Sequence, residues 1–96
     1  MPFFAVRYTY VDDQERIAQV RPAHREYLAS LVEAGSLRAS GPLVGATPPG
    51  ALLIFQATSD ADVYDLLDAD PFGQQGVVTA VEVMAWDPVI GIFADD

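Results

Sequence analysis

The sequence predicts an α+β domain in which the elements follow in the order strand, helix, strand, strand, helix, strand. Two patterns lead to this prediction: hydrophobic residues alternate in four short segments and repeat with the helical period in two others. Segments rich in Gly, Pro or Asp separate these stretches. A chain of 96 residues has room for one hydrophobic core, so we expect residues 1–96 to form a single domain.

The first strand and the first helix are predicted in the N-terminal third of the chain. Residues 3–10 alternate as a strand requires. Asp12 and Asp13 then form a polar turn, and Pro22 is expected in the first turn of a helix that ends at Gly35, because that turn tolerates proline. One face of this helix carries an apolar stripe made by Tyr27, Leu28, Leu31 and Val32.

The rest of the chain supplies a hairpin, a second helix and a last strand. The strands are predicted over residues 37–43, 51–58 and 77–86. A Gly- and Pro-rich turn joins the first two of these strands. Ser59 and Asp62 have the spacing of a capping box for a helix that stops before Pro71. This order is that of the ferredoxin-like βαββαβ fold, in which both helices cover one face of a four-stranded antiparallel sheet.

The sheet face without helices keeps apolar side chains beside its polar ones. Phe3 accompanies Arg7 on the first strand, and Val78 and Met84 accompany Glu82 on the last. A solvated face would be more consistently polar. We therefore expect a second copy of the chain to pack on this open face and form a homodimer. The alternative is a monomer with a partly apolar surface.

Composition excludes several classes of partner and site. Fourteen acidic residues against five arginines and no lysine give a net charge of −9, which repels nucleic-acid phosphates and anionic lipids. The absence of cysteine and the single histidine argue against a disulfide or a zinc site. No apolar run approaches the roughly 20 residues of a membrane span, and no export signal is visible, so a cytoplasmic location is expected.

His24 and Asp70 are the two residues whose positions do not fit an ordinary core. His24 falls within the apolar stripe of the first helix, and near the positive end of the helix dipole we expect it to be neutral unless a carboxylate compensates. Asp70 follows Leu66 and Leu67 by helical spacing, so it projects from an apolar face and needs a partner. We predict that His24 is this partner. The alternatives are a histidine bonded to a backbone carbonyl and an Asp70 that caps a helix or turn.

Further polar side chains are candidates for a ligand pocket, and Arg7, Tyr8 and Ser40 are predicted to line it. Arg7 lies inside the first strand, and Arg21 and Arg25 flank His24. An arginine that points inward can hold a substrate carboxylate with two hydrogen bonds, and the alternative is an ion pair such as Arg7 with Glu82 on an adjacent strand. Tyr8 can wall an apolar pocket, although strand aromatics usually belong to the core. Ser40 has no neighbouring element that would make it a nucleophile and is predicted only to bind. The acidic residues of the second helix lack an EF-hand pattern, so a solvated face without metal is expected.

Several short runs in the chain resemble a known family. They are Arg21-Pro22-Ala23-His24, then Gly35, Ser40-Gly41-Pro42 and Asp70-Pro71-Phe72. In this order they are similar to the YciI-like, or YCII-related, domain family over most of the chain. The resemblance implies a dimeric α+β barrel of ferredoxin-like subunits and a His-Asp active site at His24 and Asp70. One member of the wider family is a dehalogenase that eliminates hydrogen halide from a chlorinated muconolactone.

These observations lead to three functional hypotheses. The first is an enzyme of the lyase or isomerase type, acting on a small organic acid or lactone, with His24 as proton-transfer group and Asp70 as its orienting partner. It requires no cofactor, because elimination beside a carbonyl needs a placed base and an electrophilic stabiliser. The second is a non-catalytic dimeric module that holds a small apolar ligand in the same pocket, expected between the two sheets, and the third is a purely structural dimer. A His-Asp pair that faces an open cavity would favour catalysis.

Overall fold

The strands and helices are described from a computed structural model of residues 1–95. Their bounds are β1 (Phe3–Tyr10), α1 (Gln14–Glu33), β2 (Leu37–Pro42), β3 (Gly50–Gln56), α2 (Asp60–Asp68), α3 (Pro71–Gln74) and β4 (Val78–Trp86). The strands form one antiparallel sheet in the order β2-β3-β1-β4. The molecule is therefore α+β with the ferredoxin-like strand order, as predicted. The short helix α3 is an addition that the sequence patterns did not reveal.

Helix α1 begins two turns earlier than the sequence predicted. Its N-cap is Asp13, whose side chain accepts a hydrogen bond from the backbone N–H of Arg16 at 3.1 Å. Pro22 consequently lies inside the helix, where it offers no N–H to the carbonyl of Ala18. The prediction of Pro22 in the first turn was wrong, and so was the placement of His24 at the positive end of the helix dipole.

The helix-facing side of the sheet forms the core. Alternate residues of β1, among them Val6 and Tyr8, are almost fully buried against α1 and α2. Leu53 and Phe55 on β3 and Val63 on α2 complete the same cluster, with no exposed surface. Burial of these side chains is the main source of stability for so small a domain.

The open face of the sheet is apolar but differs from the prediction in one strand. Leu52, Met84 and Trp86 remain 41%, 44% and 39% exposed there. Val78, which was predicted on this face, lies on the other, because the pairing of β1 and β4 shifts register at Thr9 and aligns Val78 with Tyr10. A β-bulge of this kind reverses the side to which all preceding residues of a strand point. Among residues 1–95 no helix is long and apolar enough to cross a membrane.

Candidate functional site

The turn between α2 and α3 fixes the position of Asp70. Helix α2 ends at Asp68, so Asp70 does not lie on that helix as predicted. Pro71 pushes Asp70 into an extended conformation, with φ −71° and ψ 125°, and itself occupies the first position of α3. The Asp70 side chain caps α3 by accepting a hydrogen bond from the N–H of Phe72 at 3.0 Å. Asp70 therefore both caps α3 and pairs with His24, so the two alternatives from the sequence are present at once.

His24 and Asp70 form a buried hydrogen-bonded pair between α1 and the α2–α3 turn. Nδ1 of His24 lies 2.7 Å from Oδ1 of Asp70, and the two residues are 6% and 1% exposed. Because a carboxylate only accepts hydrogen bonds, Nδ1 carries the proton in this arrangement. The ring of Phe72 stacks on the imidazole, with centroids 3.7 Å apart and planes inclined by 5°. The imidazole is therefore held at one edge and on one face.

Tyr8 completes the set of groups around Asp70. Its hydroxyl donates to Oδ2 at 2.9 Å, so both carboxylate oxygens are engaged. Burial raises the pKa of Tyr8 well above its usual value, and the charge and hydrogen bond of Asp70 raise it further. The Tyr8 hydroxyl consequently keeps its proton and donates a hydrogen bond to Asp70 throughout the physiological pH range. The carboxylate receives three hydrogen bonds in total, from Tyr8, His24 and the backbone of Phe72.

A second tyrosine connects the helices that carry the pair. Tyr27 lies one turn after His24 on α1, and its hydroxyl donates to the backbone carbonyl of Leu66 on α2 at 2.6 Å. Burial, with a smaller contribution from the charge of Asp70, raises the pKa of Tyr27. This contact fixes the two helices relative to each other close to the His24–Asp70 pair.

A cavity of about 430 Å³ opens beside His24, between α1 and the edge of the sheet at β2. It is lined by Tyr10, Arg21, His24, Arg25, Leu28, Ala29, Val32, Leu37, Ser40, Gly41, Pro42, Ala51 and Phe72. Within residues 1–95, no buried side-chain nitrogen or oxygen lacks a hydrogen-bond partner, and the partner of the imidazole is on Nδ1. The ring of His24 lines the cavity, and its Nε2 is therefore not completely enclosed by protein. Its lone pair is free to take a proton from a molecule bound there.

The structure separates the other predicted site residues. Ser40 lies on the wall of the cavity with His24. Tyr8 is buried, is absent from the described wall of that cavity, and lines a different cavity of about 270 Å³ together with Leu67 and Asp68. Arg7 lies on the open face of the sheet, directly opposite Glu82 in the pairing of β1 and β4, and does not approach His24. Among residues 1–95 Arg7 forms no ion pair with Glu82, and its contact with a substrate stays a prediction.

Sequence reasoning noted Arg21 and Arg25 beside His24 without assigning them to the site, and it missed Tyr10 and Phe72 as wall residues. The two arginines reach the cavity because positions three before and one after His24 border the same helical face. Burial, followed by the charge of Asp70, raises the pKa of Tyr10 to about 12, and the charge of Arg21 partly opposes this increase. Tyr10 is therefore a neutral wall residue. In the described part of the chain no group of three or more His, Asp or Glu side chains could hold a metal ion.

Comparison with known proteins agrees with this architecture. A family model for the YCII-related domain matches residues 1–87. The chain belongs to the YCII-related domain family. A protein of Emericella nidulans, named derivative of benzaldehyde biosynthesis cluster protein C, is similar in sequence. It is 31% identical to this YCII-related chain and the match covers 71% of this chain and 79% of that protein.

Two solved structures resemble this YCII-related domain. One is 5-chloro-2-hydroxyhydroquinone dehydrochlorinase from Burkholderia phenoliruptrix AC1100 in complex with 2,5-dihydroxybenzoquinone, with a TM-score of 0.76 and 25% identity. That match covers 88% of this chain and 92% of the other. The second, a putative antibiotic biosynthesis monooxygenase from Bacteriodes thetaiotaomicron VPI-5482, has a TM-score of 0.58 and 14% identity over 93% of this chain and 90% of the other. The second likeness shows a common fold.

Proposed function

We propose that this YCII-related domain is a small-molecule enzyme of the lyase or isomerase type, in which Nε2 of His24 removes a proton from a bound substrate. The observation that carries the proposal is the buried His24–Asp70 pair beside a cavity that the His24 ring lines. Asp70 engages Nδ1, which leaves Nε2 as the nitrogen available to a bound molecule. The similarity to a dehydrochlorinase supports the elimination chemistry.

His24 and Asp70 have different roles in the proposed reaction. His24 takes a proton from a carbon next to a carbonyl group, and the electrons of that C–H bond form a double bond as a leaving group such as chloride departs with its electron pair. The imidazolium then returns the proton to water or, in an isomerisation, to another atom of the substrate. Asp70 keeps the proton on Nδ1, so that Nε2 is the basic nitrogen, and stabilises the imidazolium. No step of this scheme requires a cofactor.

The substrate class in this proposal is a small organic acid or lactone, or a hydroxylated ring of similar size. A cavity of about 430 Å³ is within the usual range for single small molecules. Leu28, Ala51 and Phe72 offer apolar contacts to a ring, and Ser40 offers a hydroxyl group. The substrate contact of Ser40 remains part of the proposal.

The proposal includes a homodimer through the open face of the sheet. Leu52, Met84 and Trp86 form an exposed apolar patch there, on the side opposite the helices. Sheets that pack face to face bury side chains of this kind. A second copy of the chain would cover the patch, with Arg7 and Glu82 as polar groups inside the interface.

The enzyme hypothesis is tested by elimination from defined substrates. The purified protein is incubated with chlorinated lactones that carry a hydrogen on the carbon next to the carbonyl group, and chloride release above the spontaneous rate is measured. Incorporation of solvent deuterium at the carbon next to the carbonyl reports proton abstraction independently of the leaving group. We expect His24→Gln and Asp70→Asn to reduce both rates by about a hundredfold or more, as general-base catalysis requires.

The matched control is Asp68→Asn, which removes an exposed carboxylate two residues away and should leave both rates unchanged. Equal rates for the parent protein and His24→Gln would contradict the proposal. Shifts of the His24 NMR signals on addition of these compounds, without chloride release or deuterium exchange, would instead favour the non-catalytic binding module.

A further inference from the structure

The charges on the cavity wall are opposite in sign to the charge of the whole chain. The protein carries 14 acidic residues and five arginines. Two of those five arginines, Arg21 and Arg25, line the cavity beside His24, and no aspartate or glutamate is among the described lining residues. Three other cavities with charged walls each include a carboxylate, from Asp87, Asp68 or Asp13. The His24 cavity is thus a positively charged site in a strongly acidic protein.

The helix places these cations on the same cavity wall as His24. Arg21 precedes His24 by three residues and therefore lies one turn away on the same face of α1. Arg25 follows directly and belongs to the neighbouring row, with Ala29 and Val32, that borders the cavity. Arg21 is half-buried and Arg25 is exposed. Both arginines line the cavity, and Arg21 is the more enclosed of the two.

The remaining wall suits a flat, mainly apolar body. Leu28 and Ala51 are buried aliphatic side chains, and Phe72 is a buried ring parallel to the imidazole. Tyr10 stays neutral because its pKa is raised to about 12, so it adds no negative charge at neutral pH. The arrangement combines an apolar slot with fixed positive charge at one side. A neutral apolar ligand would leave both guanidinium groups unpaired.

We infer that the cavity binds its ligand as an anion, a small ring compound with an ionised enol or carboxylate oxygen held by Arg21 and Arg25. This inference rests on the proposed function and specifies the substrate class of the same site. Arginine favours such ligands because its planar guanidinium forms two parallel hydrogen bonds with a delocalised oxyanion. The same cations would stabilise the additional negative charge that develops when His24 removes a proton from the bound molecule.

The test compares an anion with a neutral molecule of the same shape. The probes are 2,5-dihydroxybenzoquinone, which is ionised at neutral pH, and its dimethyl ether, which is not. Binding is followed by calorimetry and by the NMR signals of His24, which is the one histidine of the chain. We expect the ionised probe to bind at least about tenfold more tightly than the ether, and its affinity to fall as salt is added.

Substitutions of the two arginines test whether they are responsible for binding the anion. Arg21→Gln and Arg25→Gln should each weaken binding of the ionised probe by about tenfold and leave the ether unaffected, whereas Arg21→Lys should recover part of the affinity because it restores the charge. Arg16→Gln is the control, because Arg16 lies on the same helix but its guanidinium contacts the backbone carbonyl of Gln75. Circular dichroism verifies that each variant is folded; Arg25, being exposed, can be replaced without loss of core packing.

The outcomes separate this inference from the proposed function. Equal binding of both probes, no binding of either, or no effect of the two arginine substitutions would overturn the anion inference, and turnover that depends on His24 could still be observed. Anion binding that depends on Arg21, together with the absence of any His24-dependent turnover, would uphold the inference and overturn the enzyme.

Discussion

Asp70 has three structural roles, and the site depends on their combination. Its carboxylate caps α3, orients the imidazole of His24 and accepts the hydroxyl proton of Tyr8. Asp70 is 1% exposed, so these hydrogen bonds replace the ones that its carboxylate would form with water. A buried carboxylate is tolerated only when its oxygens are fully engaged, and removal of one donor should therefore weaken the whole arrangement.

Tyr8→Phe tests this dependence. The change removes the donor to Oδ2 of Asp70 and leaves the ring in place, so we expect the free energy of unfolding to fall by about 1–3 kcal/mol. Urea denaturation measures the loss. Tyr64→Phe, at a tyrosine that is 45% exposed, is the control and should be close to neutral. Equal stability of the two variants would show that the Tyr8 hydroxyl contributes nothing.

Tyr10 should make the protein sensitive to alkali. Its pKa is about 12 in the folded protein and about 10 in the unfolded chain, mainly because it is buried. The unfolded state therefore loses this proton first, and the stability that the neutral phenol contributes is complete below about pH 10 and is lost as the pH rises through about 12. Between about pH 8 and about pH 11, the urea midpoint of Tyr10→Phe should decrease less than the midpoint of the parent protein. An identical decrease in both would exclude Tyr10 as a cause.

At the level of single residues, the sequence identified the central pair and missed its surroundings. His24 and Asp70 could be found because each is an ionisable residue where the helical spacing calls for an apolar one, and because both lie in runs that resemble the family. The role of Tyr8 could not be found. Alternation in a strand gives the side to which Tyr8 points, but not that its hydroxyl meets a carboxylate 62 positions away. Arg7 was chosen by residue type alone, and the sheet directs it to the face opposite His24, where its contact with a substrate stays a prediction.

The elements show where local rules were followed and where packing overrode them. Alternation gave the bounds of β1, and the capping residue Ser59 gave the start of α2. Proline is a strong local signal, and it misled the prediction of α1 because Ile17 is buried in the core and holds the helix on the N-terminal side of Pro22. Tertiary burial of this kind can outweigh the absence of one helical hydrogen bond.

The early start of α1 leads to a test at its N-cap. Asp13→Ala removes the acceptor for the N–H of Arg16 and should lower the free energy of unfolding by about 1 kcal/mol. Asp12→Ala changes the same charge one residue earlier, outside the helix, and should have an effect within about 0.5 kcal/mol of zero. The difference between the two urea midpoints measures the cap. A larger effect at Asp12 would contradict a helix that begins at Gln14.

For the whole molecule, the two faces of the sheet have separate roles. The helix-covered face contains the core and the His24–Asp70 pair, and the open face carries Leu52, Met84 and Trp86. Homodimer formation on the open face could be predicted from the alternation of side chains, and it remains a prediction. The cavity beside His24 could not be predicted, because its volume depends on how far α1 stands from the edge of the sheet.

Dimer formation should depend on the exposed apolar patch. We expect the parent protein to sediment as a dimer, and Leu52→Glu or Met84→Glu to shift it to the monomer, because like charges would then meet across the interface. Val44→Glu introduces the same charge at a residue that is 97% exposed in the turn between β2 and β3, and should remain dimeric. A parent protein that sediments as a monomer at all concentrations would overturn the proposed homodimer.

The parallel contact between Phe72 and His24 has a consequence for spectroscopy. A proton directly above the plane of a benzene ring is shielded by the circulating π electrons, and the imidazole lies 3.7 Å from the Phe72 centroid and almost parallel to it. The carbon-bound protons of His24 should therefore resonate upfield of their positions in an unfolded chain. Because no other histidine overlaps them, two signals in a one-dimensional spectrum of unlabelled protein would show whether α3 is docked against α1.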